Sequence, residues 1–398
     1  MNTVTEIKQK RLITAAYYAS FIAMGISMAS LGPTLPGLAE NTGASISAIS
    51  ILFTARALGS LAGSVWGGRV YDRLPGHKVM ALMITGMAAL TALTPVVPLL
   101  WILTAVLFLT GVVQGILNIG GNALLVWVHG RNVGPFMNGL HFCFGVGTFI
   151  APVIVAQFVA LEGGLLWVYL LLAVIILPTL AVGLLPSPAS PEAARTGPAP
   201  RHDPLLITLI ALVFGCYSGA SLAYGGWIYT YAVEMNLANE TTAAYLTSVF
   251  WGALTLGRLA GIPIAVRFKP QAILYADFTA ALISLLAMLL WPRSLAAVMI
   301  TSAGLGFALA SIYPATMSLA GELMTISGKV TGLFSIGNSA GSMLIPWIIG
   351  QFFEGTGPQS MAVILLIDML FALGVLAALA RRTAARVPTL VKLSEGKE

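Results

Sequence analysis

The sequence predicts an all-α, polytopic membrane protein whose twelve transmembrane helices form two pseudo-symmetric six-helix bundles. Three observations carry this. Of 398 residues, 58% are hydrophobic and 9% are charged, against about 45–50% and about 25% in soluble globular chains. So few charges cannot cover a water-facing surface of this size. Turn residues and charges divide the chain into apolar segments that are each long enough for a hydrocarbon layer of about 30 Å. Segments from the two halves of the chain also resemble one another at nearly constant offsets.

The elements follow in order. Lys8-Gln9-Lys10-Arg11 precedes a long apolar stretch with no small-residue cleavage site, so it is a retained first helix and not a secretory leader. The segments lie at approximately 12–36, 46–70, 79–98, 100–128, 134–160, 165–185, 205–233, 241–267, 271–291, 295–321, 329–353 and 359–380. Their connections are short except for Pro186–Pro204, where Pro, Ala, Ser and Arg dominate and no apolar face exists to bury. That composition marks a linker. The expected organisation is a first bundle over 1–185, a cytoplasmic linker over 186–204, and a second bundle with a short tail over 205–398.

Lys and Arg positions give the orientation. With both termini cytoplasmic, seventeen of the twenty Lys and Arg residues fall inside and only Arg293 falls outside, while Arg56 and Arg258 lie within spans. A missed or invented segment would destroy this alternation. The compact loops suggest a bacterial inner membrane, and a monomer is expected.

Gly147-Thr148-Phe149-Ile150-Ala151-Pro152 with Gln157-Phe158 in the fifth segment matches Gly341-Ser342-Met343-Leu344-Ile345-Pro346 with Gln351-Phe352 in the eleventh, at an offset of 194. Leu58-Gly59-Ser60-Leu61-Ala62-Gly63 in the second matches Leu256-Gly257-Arg258-Leu259-Ala260-Gly261 in the eighth, at an offset of 198. Small residues at such positions let helices approach closely. Repeated bundles with a midplane site between them are the architecture of an alternating-access carrier.

Other function classes fall away. The formal charge of +6 sits at helix ends and forms no solvated stripe for nucleic acid. Cys143 and Cys216 lie inside apolar segments, so neither a disulfide framework nor a metal site is expected. No phosphate-binding G-x-x-x-x-G-K-[ST] run and no nucleophile–base constellation occurs. No enzyme activity, cofactor or metal is expected.

Between the second and third segments stands Gly68-Arg69-Val70-Tyr71-Asp72-Arg73-Leu74-Pro75-Gly76-His77-Lys78. It resembles the loop signature of the major facilitator superfamily, G-x-x-x-D-R-x-G-R-K, with one extra residue before Gly76 and His77 in place of arginine. Gly68 admits a neighbouring helix, and Asp72 at a helix end can face the positive N-terminus of another. The resemblance implies that Asp72 latches the cytoplasmic side against the eleventh helix, near Gly328. Gly68, Asp72 and Arg73 make up the expected latch, and Arg73 also anchors to anionic lipid headgroups. The second-half equivalent, Gly261 to Pro270, has no aspartate.

Longer stretches resemble the sodium-dependent glucose transporter branch, akin to the fucose permease type of sugar symporter. They include Ser30-Leu31-Gly32-Pro33-Thr34-Leu35-Pro36, Leu52 to Gly59, Leu140-His141-Phe142, Ala223 to Tyr231, Phe250-Trp251-Gly252 and Ser311-Ile312-Tyr313-Pro314. The resemblance implies a sugar substrate and sodium or proton coupling. Related sequences often carry acidic residues where this chain has Ser221 and Ser342, which puts coupling through those positions in doubt.

Polar groups within spans pair with one another or line a cavity. At about 1.5 Å per residue, Arg56, Gln114, Tyr217, Trp251 and Asn338 fall near the midplane. Gln114, Asn118 and Asn122 form one stripe on the fourth segment, and Asn138 and His141 answer on the fifth. Tyr217, Tyr224 and Tyr231 recur every seven residues on the seventh segment, with Trp227 beside them; Tyr313 belongs to the tenth. Amides and phenols suit a neutral polyol, although each amide is equally able to fasten two helices together. Arg258 and Asp277 lie at similar depths and are expected to pair. Arg56 has no evident partner and is expected to meet solute or the eleventh helix. Asp368 is a candidate for the coupling ion. The expected function is secondary active or facilitative transport of a small neutral solute, above all a hexose-like sugar. The alternative is export of amphipathic drugs or metabolites, favoured by fifteen methionines.

Overall fold

The computed structural model describes residues 3–188, 203–326 and 328–384 and contains only helices and turns among them. Twelve helices are long and apolar enough to span a membrane, at the positions the hydropathy pattern predicts. The chain is an integral, multi-pass membrane protein. Most of the expected linker, 189–202, lies outside the described residues.

The first span is broken into α1a (Thr3–Ala29) and α1b (Leu31–Thr42). There follow α2 (Ile51–Arg73), entered through a short turn at Ile46–Ile49, then α3 (Gly76–Leu93), α4 (Leu100–His129) and α5 (Gly134–Phe158). Helix α6 (Gly164–Ile176) continues as a tighter turn over Leu177–Leu184. The second half comprises α7 (Pro204–Glu234), α8 (Glu240–Arg267), α9 (Pro270–Leu290), a broken tenth span α10a (Leu295–Leu309) and α10b (Ile312–Leu323), α11 (Gly328–Thr356) and α12 (Ser360–Ala384). Helix starts follow local chemistry. Asp203 accepts from the Leu205 N–H ahead of a leading Pro204, and Asn239 accepts from the Thr242 N–H at 2.9 Å.

Glycines decide which helices pair within each half. Gly25 of α1a lies on the Phe144 carbonyl of α5, and Gly147 of α5 lies on the Ile22 carbonyl in return. The matching pair in the second half is α7 with α11, where Gly215 and Gly341 meet backbone to backbone. Helix α2 pairs with α4, and α8 with α10, in the same relation. The repeats read from sequence thus reappear as equivalent helix pairs, a consequence of backbones approaching where no side chain intervenes.

The two breaks share a pattern, Ser30-Leu31-Gly32-Pro33 and Ser311-Ile312-Tyr313-Pro314. In each, proline lacks the N–H that would bond the carbonyl four residues earlier, and its ring crowds that carbonyl.

Contacts between the halves concentrate at the face opposite the chain termini. Gly32 of α1b lies on α7, where a Cβ would come within 2.6 Å of the Gly225 carbonyl. Thr54 of α2 donates to the Met343 carbonyl of α11 at 3.3 Å, and the Ile46 N–H donates to Glu354 at 2.7 Å. Phe149 of α5 covers Gly252 of α8. At the terminal face the corresponding positions stand apart: a Cβ at Gly68 of α2 or Gly332 of α11 would meet nothing within 4 Å. The molecule is sealed at one face and cleft at the other.

Candidate functional site

The walls of the cleft come from the same helices whose outer parts form the seal. On α4, Gly121 packs on Phe21 of α1a and Gly115 packs on Ser60 of α2. Asn118 and Asn122 lie on the arc between those two contact lines, so they face the cleft. Asn118 is exposed and Asn122 half-buried. The Asn122 amide donates to the Asn118 side chain at 2.7 Å and to its carbonyl at 2.8 Å, which orients the pair and leaves the Asn118 amide N–H groups available.

On α5, Gly145 packs on Thr255 of α8, and the residues one and two turns nearer the terminal face on that side are His141 and Asn138. Both are exposed. The His141 ring meets Phe21 edge-on at 6.3 Å and lies within electrostatic reach of Arg258 of α8. Arg258 Nη2 in turn donates to the Tyr217 hydroxyl of α7 at 3.3 Å. Tyr217 and the exposed Tyr313 of α10b stand with ring centres 6.0 Å apart. Imidazole and amides from one half thus face a guanidinium and two phenols from the other. Asn338 of α11 is half-buried beside Gly337, the residue that packs on Ala211 of α7.

Other expected site residues are placed elsewhere. Arg56 is buried and does not reach the cleft: its Nε donates to Gln114 at 3.0 Å, Nη1 to the Met28 carbonyl at 2.9 Å and Nη2 to the Ser27 carbonyl at 3.0 Å. Those carbonyls precede the Ser30 break, at the negative end of α1a, where a cation is favoured. Gln114 is used up in the same network, since its Nε2 donates to the Ser27 hydroxyl at 3.1 Å. Beside the guanidinium a space of about 10 Å³ is lined by hydroxyls from Ser27, Ser30, Thr91, Thr94, Thr110 and Tyr169, about enough for one water.

Tyr224, Trp227 and Trp251 belong to the sealed side and are buried there. Tyr224 bonds Ser302 of α10a at 2.8 Å. Trp227 donates to the Pro346 carbonyl at 3.0 Å and stacks on Phe353, and Trp251 covers Gly225. The physical reason is depth. Seven residues advance a helix by about 10 Å, so of the three tyrosines in that series Tyr217, itself buried, is the one that adjoins the cleft residues, through Arg258 and Tyr313.

The expected Arg258–Asp277 pair is not formed. Arg258 turns to Tyr217, while Asp277 of α9 accepts from the Ser311 hydroxyl at 2.6 Å. Similar depth did not bring the two side chains to the same side of α8 and α9. Asp368 is buried on α12 beside Cys216 of α7, and its Oδ2 has no hydrogen-bond partner. Asp72 and Arg73 are exposed at the end of α2 and Gly68 faces open space; no contact of the expected latch is seen among the described residues.

The sequence did not mark the residues of the seal: Phe53, which covers Gly226 and lies against Trp227, Ser47 and Gln351, which bond each other, and Glu354. Gln351 was visible only as part of the repeat. A larger hollow of about 410 Å³, lined by Ile51, Leu58, Trp101 and Phe108 among others, lies against α2 and α4 and is almost wholly apolar. It fits lipid chains and not a polar solute.

Comparison with known proteins agrees with this architecture. The family model for the Major Facilitator Superfamily matches residues 17–346. Sodium-dependent glucose transporter 1 of Xenopus laevis is 30% identical over 369 residues, covering 84% of this chain and 74% of the relative. The human protein of that name is 29% identical over 380 residues, covering 86% and 73%. For the Danio rerio protein the identity is 28% over 85% of this chain, which spans 64% of that relative's length. Among solved structures, a mutant of the nucleoside transporter NupG superposes with a TM-score of 0.74 at 15% identity, over 94% of this chain and 99% of that one. A bacterial homologue of the human lysosomal transporter Spinster, in an inward-facing and occupied conformation, gives 0.71 at 12% identity, over 94% and 97%. At such identities these two speak for the fold alone. Matched over most of its length by the family model and built as twelve helices in paired bundles, the chain belongs to the Major Facilitator Superfamily.

Proposed function

We propose that this protein is a secondary transporter that moves a hexose-like sugar by alternating access, and that the cleft is the inward-facing half of its path. It is a carrier and not an enzyme. The observation that carries the reading is the match to relatives named sodium-dependent glucose transporter along 84–86% of the chain. The cleft chemistry supports it. Asn118, Asn122, Asn138 and Asn338 offer donors and acceptors together, as neutral hydroxyls require. Tyr217 and Tyr313 offer ring faces for the C–H surfaces of a sugar, and His141 and Arg258 donate from opposite sides. Among the described side chains, Lys8, Lys10, Arg11, Arg69, Arg73, Lys78, Arg267, Lys269, Arg381 and Arg382 lie toward the cleft face and Arg293 toward the other, a bias that supports reading the cleft face as cytoplasmic. Coupling to sodium or a proton falls to Asp277 or Asp368, since Ser221 and Ser342 carry no charge.

The test is counterflow in proteoliposomes with a panel of sugars, with and without a sodium gradient. Saturable sugar exchange is expected, reduced about tenfold or more by Asn118→Ala and by His141→Ala. Sugar exchange unchanged in both variants removes those residues from the site. Absent sugar exchange with robust movement of amphipathic dyes favours export of drugs or metabolites.

A further inference from the structure

The seal between the halves contains two hydrogen-bonded clasps that occupy equivalent places in the internal repeat. Gln157 closes the last turn of α5, and its Nε2 donates to the Tyr245 hydroxyl of α8 at 2.7 Å. Gln351 closes the last turns of α11. It accepts from the Ser47 hydroxyl at 3.1 Å and donates to the Ser47 carbonyl and the Ser50 hydroxyl, both at 3.2 Å. The offset of 194 that aligns α5 with α11 carries Gln157 onto Gln351, and the offset of 198 that aligns α2 with α8 carries Ser47 onto Tyr245. Each half therefore sends a glutamine from its fifth helix to the start of the other half's second helix.

These four residues lie at the end of the seal farthest from the cleft. All the bonds cross between the halves, and they lie at exposed or partly buried positions that water can reach once the halves part. The clasps are unequal. Beside Gln351, Glu354 also accepts from the Ile46 N–H at 2.7 Å, and the residue aligned with Glu354 is Ala160.

We infer that Gln157 and Gln351 are a pseudo-symmetric pair of positioning residues that hold the outer mouth shut while the inner cleft is open, and that both must release before solute enters from the other side. The inference rests on the alternating-access reading and not on the identity of the solute. One net hydrogen bond shifts an equilibrium by about fivefold, so removal of the single Gln157 bond shifts the shut-to-open ratio about fivefold. Removal of Gln351 shifts it further. The double variant approaches the product of the two, because the sites share no partner.

The experiment is a pulsed-EPR distance measurement across the outer mouth in lipid nanodiscs. Spin labels are placed at Glu40→Cys on α1b and Glu234→Cys on α7, in a background carrying Cys143→Ala and Cys216→Ala. Both label sites are exposed. The background is expected to give mainly one short distance. Gln157→Ala, Gln351→Ala and their combination are expected to add a longer-distance population in increasing order. Tyr245→Phe, which deletes only the accepting hydroxyl of a half-exposed side chain, is expected to match Gln157→Ala and serves where a glutamine variant folds poorly. An unchanged distribution in the double variant, or in Tyr245→Phe and Gln157→Ala alike, overturns the inference. No solute is needed, so a failure here is distinct from a failure to transport sugar.

Discussion

Helices α2 and α4 of the first half and α8 and α10 of the second descend from one pattern but are packed in different ways. In the first half the contact is reciprocal: Gly59 and Gly63 lie on the Phe108 and Val112 carbonyls, and Gly111 and Gly115 lie on the Arg56 and Ser60 carbonyls. Helix α4 runs unbroken for 30 residues. In the second half Gly306 lies on the Phe250 carbonyl and Gly257 meets the Ala310 side chain, but Gly261 has only ordinary contact with Ser311. There the tenth span is broken. The first half is thus a braced scaffold around an unbroken helix, while the second carries its break beside a looser contact. An arginine marks each pair, Arg56 buried and spent on structure, Arg258 half-buried one turn further along the repeat and bonded to Tyr217.

The largest expected effect tests that division of labour. Arg56→Met removes the donor to two carbonyls and to Gln114 in the membrane interior, where each group left unpaired costs about 1–3 kcal/mol. A loss of about 3–4 kcal/mol is expected, read as a drop in thermal unfolding temperature in detergent and as poor recovery of folded protein. Arg258→Met breaks one long bond to Tyr217 and should cost under about 1 kcal/mol, while transport falls. Equal destabilisation by both would break the comparison.

The glycines offer a matched pair next. Gly63 and Gly261 stand at the same place in the repeat, yet a methyl group at Gly63 would drive into the Val112 backbone, whereas one at Gly261 would rest 3.6 Å from the Ser311 Cβ. Gly63→Ala is expected to cost about 2–3 kcal/mol through forced separation of α2 and α4. Gly261→Ala should be neutral or stabilising by up to about 1 kcal/mol, since alanine is the better helix former. Unfolding of both variants in the same detergent distinguishes the two contacts.

This pair also marks where the sequence stops being legible. Twelve spans and the internal repeat follow from composition and spacing, because a membrane permits few alternatives to an apolar helix. Leu58 to Gly63 and Leu256 to Gly261 read alike, however, and only the partner helix decides which glycine is crowded. The same limit affected the site. Asn118, Asn138 and His141 stand exposed on the faces that their helical spacing indicates, because spacing fixes a face. Tyr224 and Trp227 share a face with Tyr217 but lie deeper in the seal, and whether a given depth is open or shut depends on the conformation. Arg56 stood in the sequence as a charge with no evident partner, but its partners include the Ser27 and Met28 carbonyls at the end of α1a, beside the Ser30 break, and only the fold brings that helix end to α2.

The smallest effect sharpens the comparison of the two breaks. Arg56 bonds the carbonyl end of α1a, and Asp277 bonds Ser311 at the amide end of α10b. Each charge has the sign that its half-helix end favours. The bonding is unequal: Arg56 is held by three hydrogen bonds, whereas Asp277 accepts one from a hydroxyl. Asp277→Asn keeps an oxygen for Ser311 and removes only the charge, which near a helix end contributes about 0.3–1 kcal/mol. A small fall in unfolding temperature is expected, well below that of Arg56→Met under identical conditions. If Asp277→Asn lowers it as far, the carboxylate is what holds α10b in place. The second half's break would then be as firmly braced as the first, and α10b would no longer be the looser of the two half-helices.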